Sequence, residues 1–285
     1  MINRQNYSQV DVSMPIKPAR ELKRISQEAF HEIDYLVTGL AFHVHRELGP
    51  WFIDESIYRD ELARLCRAKR LTACTELPVI VMSGTFSKSY FLDLVINECV
   101  PYEMKAVEKI HRNHRNQTLN YLMLTGLAHA KILNMRSSSM EYEFVSTTVT
   151  PADRYEFKCD FDCWRDLDAD SNWLKDAVHK LIDEWGLFLD VTLFYDAIEH
   201  LRGGRENVVQ PIEIARGSQV VGRQLAHLIN SRTGFKITAI TKDIPQFEKR
   251  LAKFLSSTSL HAVQWINFNR HNVCFKTLLR DSTCE

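Results

Sequence analysis

The sequence predicts a mixed α/β protein in which one fold is written twice. The apolar period of the chain changes from three or four residues to two and back again, as helices and then strands require. When the 285-residue chain is slid on itself by 133 positions, residues 78–136 align with 211–269 without a gap. The composition is that of a folded protein, with 45% hydrophobic and 25% charged residues. The length accommodates two domains of about 100–150 residues each.

Residues 1–20 have no apolar period and carry Pro15 and Pro18, so 1–27 is expected as an N-terminal arm. Phe30, Ile33, Val37, Leu40 and Val44 then recur at helical steps, and Gly49-Pro50 stops the helix. A second helix is expected from about Asp54 to Lys69, with Ile57, Leu62 and Leu65 on one face. Strands follow at Leu77–Met82, Tyr90–Ile96 and Tyr102–Val107, the first two joined by the turn Ser83-Gly84-Thr85. Arg112–Thr125 reads as a helix ended by Gly126, and Lys131–Met135 and Glu141–Val149 as two more strands. The order helix-helix-β-β-β-helix-β-β packs helices around one mixed sheet. Residues 28–150 are expected as this first domain. The acidic stretch 151–175, with Asp160, Asp162, Asp166, Asp168 and Asp170, is expected as a linker before a helix starting near Asn172. Residues 176–285 are expected as the second copy.

The repeat contains 11 identities in 59 aligned positions, among them Pro78/Pro211, Asn97/Asn230, Thr125/Thr258 and Asn134/Asn267. The identity is weak, but apolar positions coincide as well. A set of charges does not repeat. Asp93 falls on Ala226, Glu103 on Lys236 and Lys105 on Thr238, and in the preceding helix, at an offset of 136, Glu55 falls on Val191. Residues of one active site vanish together when a copy decays, whereas structural charges have no reason to.

Composition excludes several classes. A formal net charge of zero argues against sequence-independent coating of nucleic acid. No apolar run approaches the roughly 20 residues that span a bilayer, and the first residues lack the apolar core of a secretion signal. A cytoplasmic location is the resulting expectation. The seven cysteines, Cys284 included, follow no regular spacing, so neither a disulfide framework nor a zinc site is expected.

Glu103 and Lys105 stand two apart on a strand and therefore share a face, with Asp93 on the neighbouring strand. Two carboxylates and a backbone carbonyl, most simply that of Met104, suit Mg²⁺ or Mn²⁺, which keep waters and take phosphate oxygens. Lys105 would orient a water or offset charge on a phosphorane-like transition state, and Glu55 would add a further ligand. An Asp in an apolar strand is also often a satisfied buried carboxylate, and Glu-x-Lys is common as a surface ion pair. Their order, spacing and joint loss in the repeat carry the catalytic reading. Gln117 and Tyr121, four apart on the next helix, are candidates to hold substrate or Lys105, or serve packing. Lys109, Arg112 and Arg115, with His111 and His114, form a basic cluster for phosphates or a solvated face. His43, His45 and the stripe Arg64, Arg67, Lys69 and Arg70 read as helix surface.

Several blocks occur in the order of a known family. Val44-His45-Arg46-Glu47-Leu48-Gly49-Pro50, Glu55-Ser56-Ile57-Tyr58, Tyr102-Glu103-Met104-Lys105 and Gln117-Thr118-Leu119-Asn120-Tyr121 together resemble the GxxExxY protein family of the PD-(D/E)XK nuclease-like superfamily. The resemblance covers about residues 28–149. It implies a restriction-endonuclease-like core with a mixed central sheet and an Mg²⁺-dependent site of Glu55, Asp93, Glu103 and Lys105, with Tyr58 and Gln117 beside it. The family pattern places Gly three residues before the Glu, where this chain has Phe52, so one residue is inserted between Gly49 and Glu55. The second half is expected as a degenerate copy, packed on the first as a built-in partner.

The functional expectation is a metal-dependent nuclease acting on DNA, in repair, recombination or defence. Its competitor is a non-catalytic scaffold of the same fold that binds nucleic acid or a protein. No membrane contact is expected, and a homo-oligomer is left open.

Overall fold

The computed structural model describes residues 14–50 and 53–280. Residues 1–13 of the expected arm, Phe52 and Cys284 lie outside the described residues. The first half opens with β1 (Ile16–Pro18), α1 (Gln27–Leu48) and α2 (Glu55–Ala68). It continues with β2 (Ala73–Ser83), β3 (Phe86–Ile96), β4 (Val100–Lys105), α3 (Arg112–Thr125), β5 (His129–Asn134) and β6 (Glu141–Ser146). The strands form a six-stranded sheet in chain order. Every neighbouring pair is antiparallel except β4 and β5, which run parallel because α3 carries the chain back between them. The described part of the arm is pinned to this sheet. β1 pairs antiparallel with β2 and covers its edge, Ile16 opposite Val81.

The helix ends follow local chemistry. Ser26 caps α1, its hydroxyl accepting from the Ala29 amide at 3.3 Å. Gly126 ends α3 in the left-handed conformation at φ 74°, where a side chain would also press on Pro151. α1 and α2 cover one face of the sheet with Phe30, Val37, Tyr58 and Leu62 against Leu94, Tyr102 and Met104. His45, expected on the surface, is buried instead, its Nε2 lying 2.8 Å from the Ser137 carbonyl oxygen.

The second half repeats the order. β7 (Lys158–Cys163), α4 (Ala169–Trp185), α5 (Val191–Leu201) and the short α6 (Arg205–Val208) precede β8 (Val209–Arg216), β9 (Gln219–Asn230) and β10 (Thr233–Thr238). α7 (Ile244–Ser256), β11 (Ala262–Asn269) and β12 (Asn272–Leu279) complete it. The sheet order is β7-β12-β11-β10-β9-β8, and β10 and β11 are the parallel pair that matches β4 and β5. Shifted by 133, β4 falls on β10 end to end, and shifted by 136, the start of α2 falls on the start of α5.

Two of the identities of the repeat are local backbone fasteners. The Asn134 side-chain oxygen accepts from the Val107 amide at 3.0 Å, and Asn267 accepts from the Ile240 amide, at the matching position, at 2.9 Å. Thr125 accepts from the Leu127 amide at 3.4 Å and Thr258 from the Leu260 amide at 3.3 Å.

The stretch expected as an acidic linker carries a strand. β7 pairs parallel with β12 and closes that edge of the second sheet. Its acidic residues act as caps and ion-pair partners. Asp168 caps α4 by accepting from the Ser171 amide at 2.8 Å, which starts the helix at Ala169 rather than near Asn172. Asp170 pairs with Arg202 and Asp166 with Lys175.

The two halves share a core. Leu77, Val79, Val81, Phe86 and Leu92 of the first sheet pack in one cluster with Leu174, Val178, Trp185, Phe194 and Ile198 of α4 and α5. Ile229, Ile266 and Phe275 of the second sheet join the same cluster. α4 and α5 therefore lie between the sheets, while α7 covers the far face of the second with Leu251 and Leu255 against Val263 and Trp265. Polar stitches cross the seam. Trp185 Nε1 donates to the Met82 carbonyl at 2.8 Å, and Lys88 donates to Asp196 at 2.5 Å.

Candidate active site

The β3–β4 ladder runs from Ile96/Val100 to Leu94/Tyr102 and stops there. The next residues along are Asp93 and Glu103, so the candidate site sits where the two strands part. Asp93 bridges the opening, one carboxylate oxygen accepting from the Met104 amide at 2.8 Å. A strand residue points its N–H and C=O to the same side. The Met104 carbonyl therefore faces this same gap, while the Lys105 carbonyl faces β5 and accepts from Met135 at 2.7 Å.

Glu103 and Lys105 lie on one face of β4, as period-two geometry requires. Lys105 Nζ donates to Glu103 Oε1 at 2.6 Å and stands 3.6 Å from Glu55 Oε1. Glu103 is 3% exposed. Glu55, the first residue of α2, has a side chain 39% exposed and reaches the group from solvent. Tyr58 places it. This buried tyrosine donates to the Gly49 carbonyl at 2.6 Å, tying the first turn of α2 to the end of α1 across the segment that carries the inserted residue.

The electrostatics are those of crowded carboxylates. Burial, then repulsion from Asp93, pushes the Glu103 carboxyl up to about 8, against the pull of Lys105. Burial likewise lifts Asp93, opposed by its bond to the Met104 amide and by Lys105. Burial lifts Glu55 too, with Lys105 pulling the other way. Burial disfavours the charge on Lys105, but Glu103, Glu55 and Asp93 outweigh it and hold the amine above its ordinary value. Among the described residues, no three His, Cys, Asp or Glu side chains already converge as a ligand set. Lys105 instead bridges the acidic groups.

The remaining sequence candidates divide. Gln117 Nε2 donates to Tyr121 Oη at 3.0 Å, so this pair faces one way. Burial raises the Tyr121 phenol, and the charges of Glu103 and Asp93 push it the same way, which puts α3 beside the site. Lys109 and Arg112 are exposed before and at the start of α3, without an ion pair among the described residues. Arg115 is held by Glu143 on β6. Sequence reasoning did not find Tyr90, Asn116 or Asp190, which approach α3 from β3, from α3 itself and from the start of α5. The only available signal was the run of amides on α3.

At the matching place in the second half the carboxylates and the lysine of the site are gone and the fasteners remain. Thr238, at the position of Lys105, donates to Asn267 at 2.7 Å and accepts from Trp265 at 2.9 Å. Ala226 and Lys236, at the positions of Asp93 and Glu103, line a pocket of about 210 Å³ with Phe235 and Phe254.

Residues 31–145 match the family model of the PD-(D/E)XK nuclease superfamily. No curated protein and no solved structure matches the chain. The matched segment runs from α1 into β6 and contains Glu55, Asp93, Glu103 and Lys105. No helix among the described residues is long and apolar enough to cross a membrane.

Proposed function

We propose, from the premise that residues 31–145 are a PD-(D/E)XK nuclease superfamily domain, that this chain is a metal-dependent nuclease that hydrolyses phosphodiester bonds of DNA. The observation that carries the reading is selective loss. The second copy keeps five strands, β8 to β12, in the order of β2 to β6, and the Asn and Thr fasteners, yet has lost Glu55, Asp93, Glu103 and Lys105 together. The finer likeness to GxxExxY proteins supports the same four residues.

Nucleases of this superfamily generally use divalent metals. The donors fit such an ion. Asp93 and Glu103 are hard oxygen ligands, lifted in pKa by burial and, for Glu103, by the neighbouring Asp93, and the Met104 carbonyl opens on the same gap. Mg²⁺ or Mn²⁺ held there would polarise the phosphate and lower the pKa of a bound water. In this reading Asp93, Glu103 and the Met104 carbonyl would hold the ion, and Glu55 would orient a water beside it. Lys105 leaves its bridge between Glu103 and Glu55 to face the attacking water and the phosphate oxygens. Lys109 and Arg112 at the start of α3 meet the backbone phosphates. The strand β7 belongs with the second copy in this division, which supplies no catalytic group.

The test combines calorimetric titration of Mg²⁺ or Mn²⁺ with cleavage of linear, circular and single-stranded DNA. Cutting that needs the metal and is abolished, with metal binding, by Asp93→Asn is the expected result. Cutting that persists in EDTA, or no cutting on any substrate, would overturn the reading in favour of a binding scaffold.

A further inference from the structure

Beside the candidate site lies a cleft that both halves build. Its volume is about 270 Å³, and Tyr90, Asn113, Asn116, Gln117, Tyr121 and Asp190 line it. The amides and Tyr121 recur at three- and four-residue steps along α3, so they form one stripe of the helix. Such a stripe on an isolated helix would be a solvated face. Here it is turned toward the start of α5 in the other half. Asn120 stitches the two together, its side-chain oxygen accepting from the Asp190 amide at 2.9 Å.

The cleft is chemically specific. It contains no lysine or arginine, and Asp190 adds a carboxylate. A phosphate would be repelled there, in contrast to the exposed Lys109 and Arg112 nearby. Two aromatic rings stand at one end, Tyr90 and Tyr121, with centroids 6.4 Å apart and planes at 76°. The side chains of Asn113 and Asn116 take no hydrogen bond among the described residues, and Gln117 spends only its amide nitrogen, on Tyr121. Tyr90 Oη is buried without a hydrogen-bond partner among the described residues. Lys88, whose Nζ stands 5.0 Å from the centre of the Tyr90 ring, is paired with Asp196 and is not part of the lining. Unspent amide donors and acceptors beside phenol rings, with no cation in the lining, suit a flat, neutral, hydrogen-bonding ring.

The cleft adjoins the site at Tyr121, which lines it and whose phenol feels the charges of Glu103, Asp93 and Lys105.

We infer that this cleft receives one unpaired nucleobase of the substrate, next to the nucleotide at the candidate site, while the phosphates run past Lys109 and Arg112. The inference rests on the nucleic-acid reading above and makes its substrate a single strand or a locally unpaired one. A base inside a duplex hides both its face and its pairing edge and cannot enter. The second copy thereby has a role. The helix start matching the one that delivers Glu55 in the first half, Asp190 and α5, walls the base cleft.

The experiment uses the full chain carrying Lys105→Ala, with Ca²⁺ in place of Mg²⁺ so that nothing is cut. Fluorescence anisotropy measures binding of 12-nucleotide single strands of dA, dC or dT, of the same strands with one abasic spacer, and of a hairpin duplex. Asn116→Ala sits on an exposed helical position that alanine fits without strain. It is expected to weaken binding of the single strands about tenfold, the order of one lost base contact, and to leave duplex binding unchanged. An abasic spacer in the right register should weaken the unsubstituted cleft to the same extent and the Asn116→Ala cleft no further. Arg112→Ala, by contrast, should weaken all ligands and lower the salt slope by about one. Equal loss for single strand and duplex in Asn116→Ala, no loss in either, or indifference to the abasic spacer would overturn the inference. If the base-dependent pattern holds but Mg²⁺ supports no cutting by the wild type, the nuclease reading falls and the base cleft stands. If cutting occurs without the pattern, the cleft falls alone.

Discussion

Lys105 carries most of the argument at the scale of single residues. It pairs with Glu103 and Glu55, and the charge of Asp93 adds to their hold on it. Removing a single preorganised donor to a transition state typically lowers a rate by about 10²-fold or more. Lys105→Ala is therefore expected to lower kcat by that factor with KM little changed, measured by steady-state cleavage of a labelled strand. The four charges were legible in the sequence because a repeat supplied its own control, a second copy without them. What the sequence could not show was their state. Period two puts Glu103 and Lys105 on one face, but the 2.6 Å bond between them depends on burial that only packing creates. Tyr58 was read from a motif as a neighbour of the site. It is buried, and its bond to the Gly49 carbonyl ties the first turn of α2, which begins at Glu55, to the end of α1.

At the scale of elements, β4 connects site and scaffold. One end holds Glu103 and Lys105, and its neighbour Tyr102 enters a buried network under α1. Tyr102 donates to Asp34 at 3.1 Å, and Lys131 of β5 donates to Asp34 at 2.6 Å and to Thr38 at 2.8 Å. Asp34 lies on the apolar stripe of α1, between Phe30 and Val37, a position at which a charge needs a partner. Asp34→Ala would leave Lys131 buried and unpaired, a change that costs about 3–5 kcal/mol. Chemical denaturation should record a loss of that size, and Asp34→Ala with Lys131→Met should recover much of it. The elements themselves were largely readable, since α3 begins and ends where capping and Gly126 place it. The acidic stretch 151–175 was not. Its aspartates resemble a solvated linker in composition, and only the sheet shows that β7 pairs with β12 and that Asp168 caps α4.

At the scale of the molecule, the two halves form one body around α4 and α5, and Arg154 locks them. Its buried guanidinium donates to the Met123 carbonyl at 2.8 Å near the end of α3 and to the Trp185 carbonyl at the end of α4. Those are the negative ends of two helices, one from each half. Arg154→Ala would orphan both carbonyls, at about 1–3 kcal/mol each. Differential scanning calorimetry should show one cooperative transition at a lower temperature, and two separate transitions in the wild type would contradict a shared core. The arrangement also makes a sharp claim about where chemistry resides, one centre per chain, in the first half. The most direct measurement is Mg²⁺-dependent cleavage by wild type, Lys105→Ala and Lys236→Ala side by side, with EDTA as the blank. Cutting by the wild type and Lys236→Ala alike, with Lys105→Ala reduced about 10²-fold or more, is the predicted result. Cutting that survives Lys105→Ala, or that falls with Lys236→Ala, would contradict it.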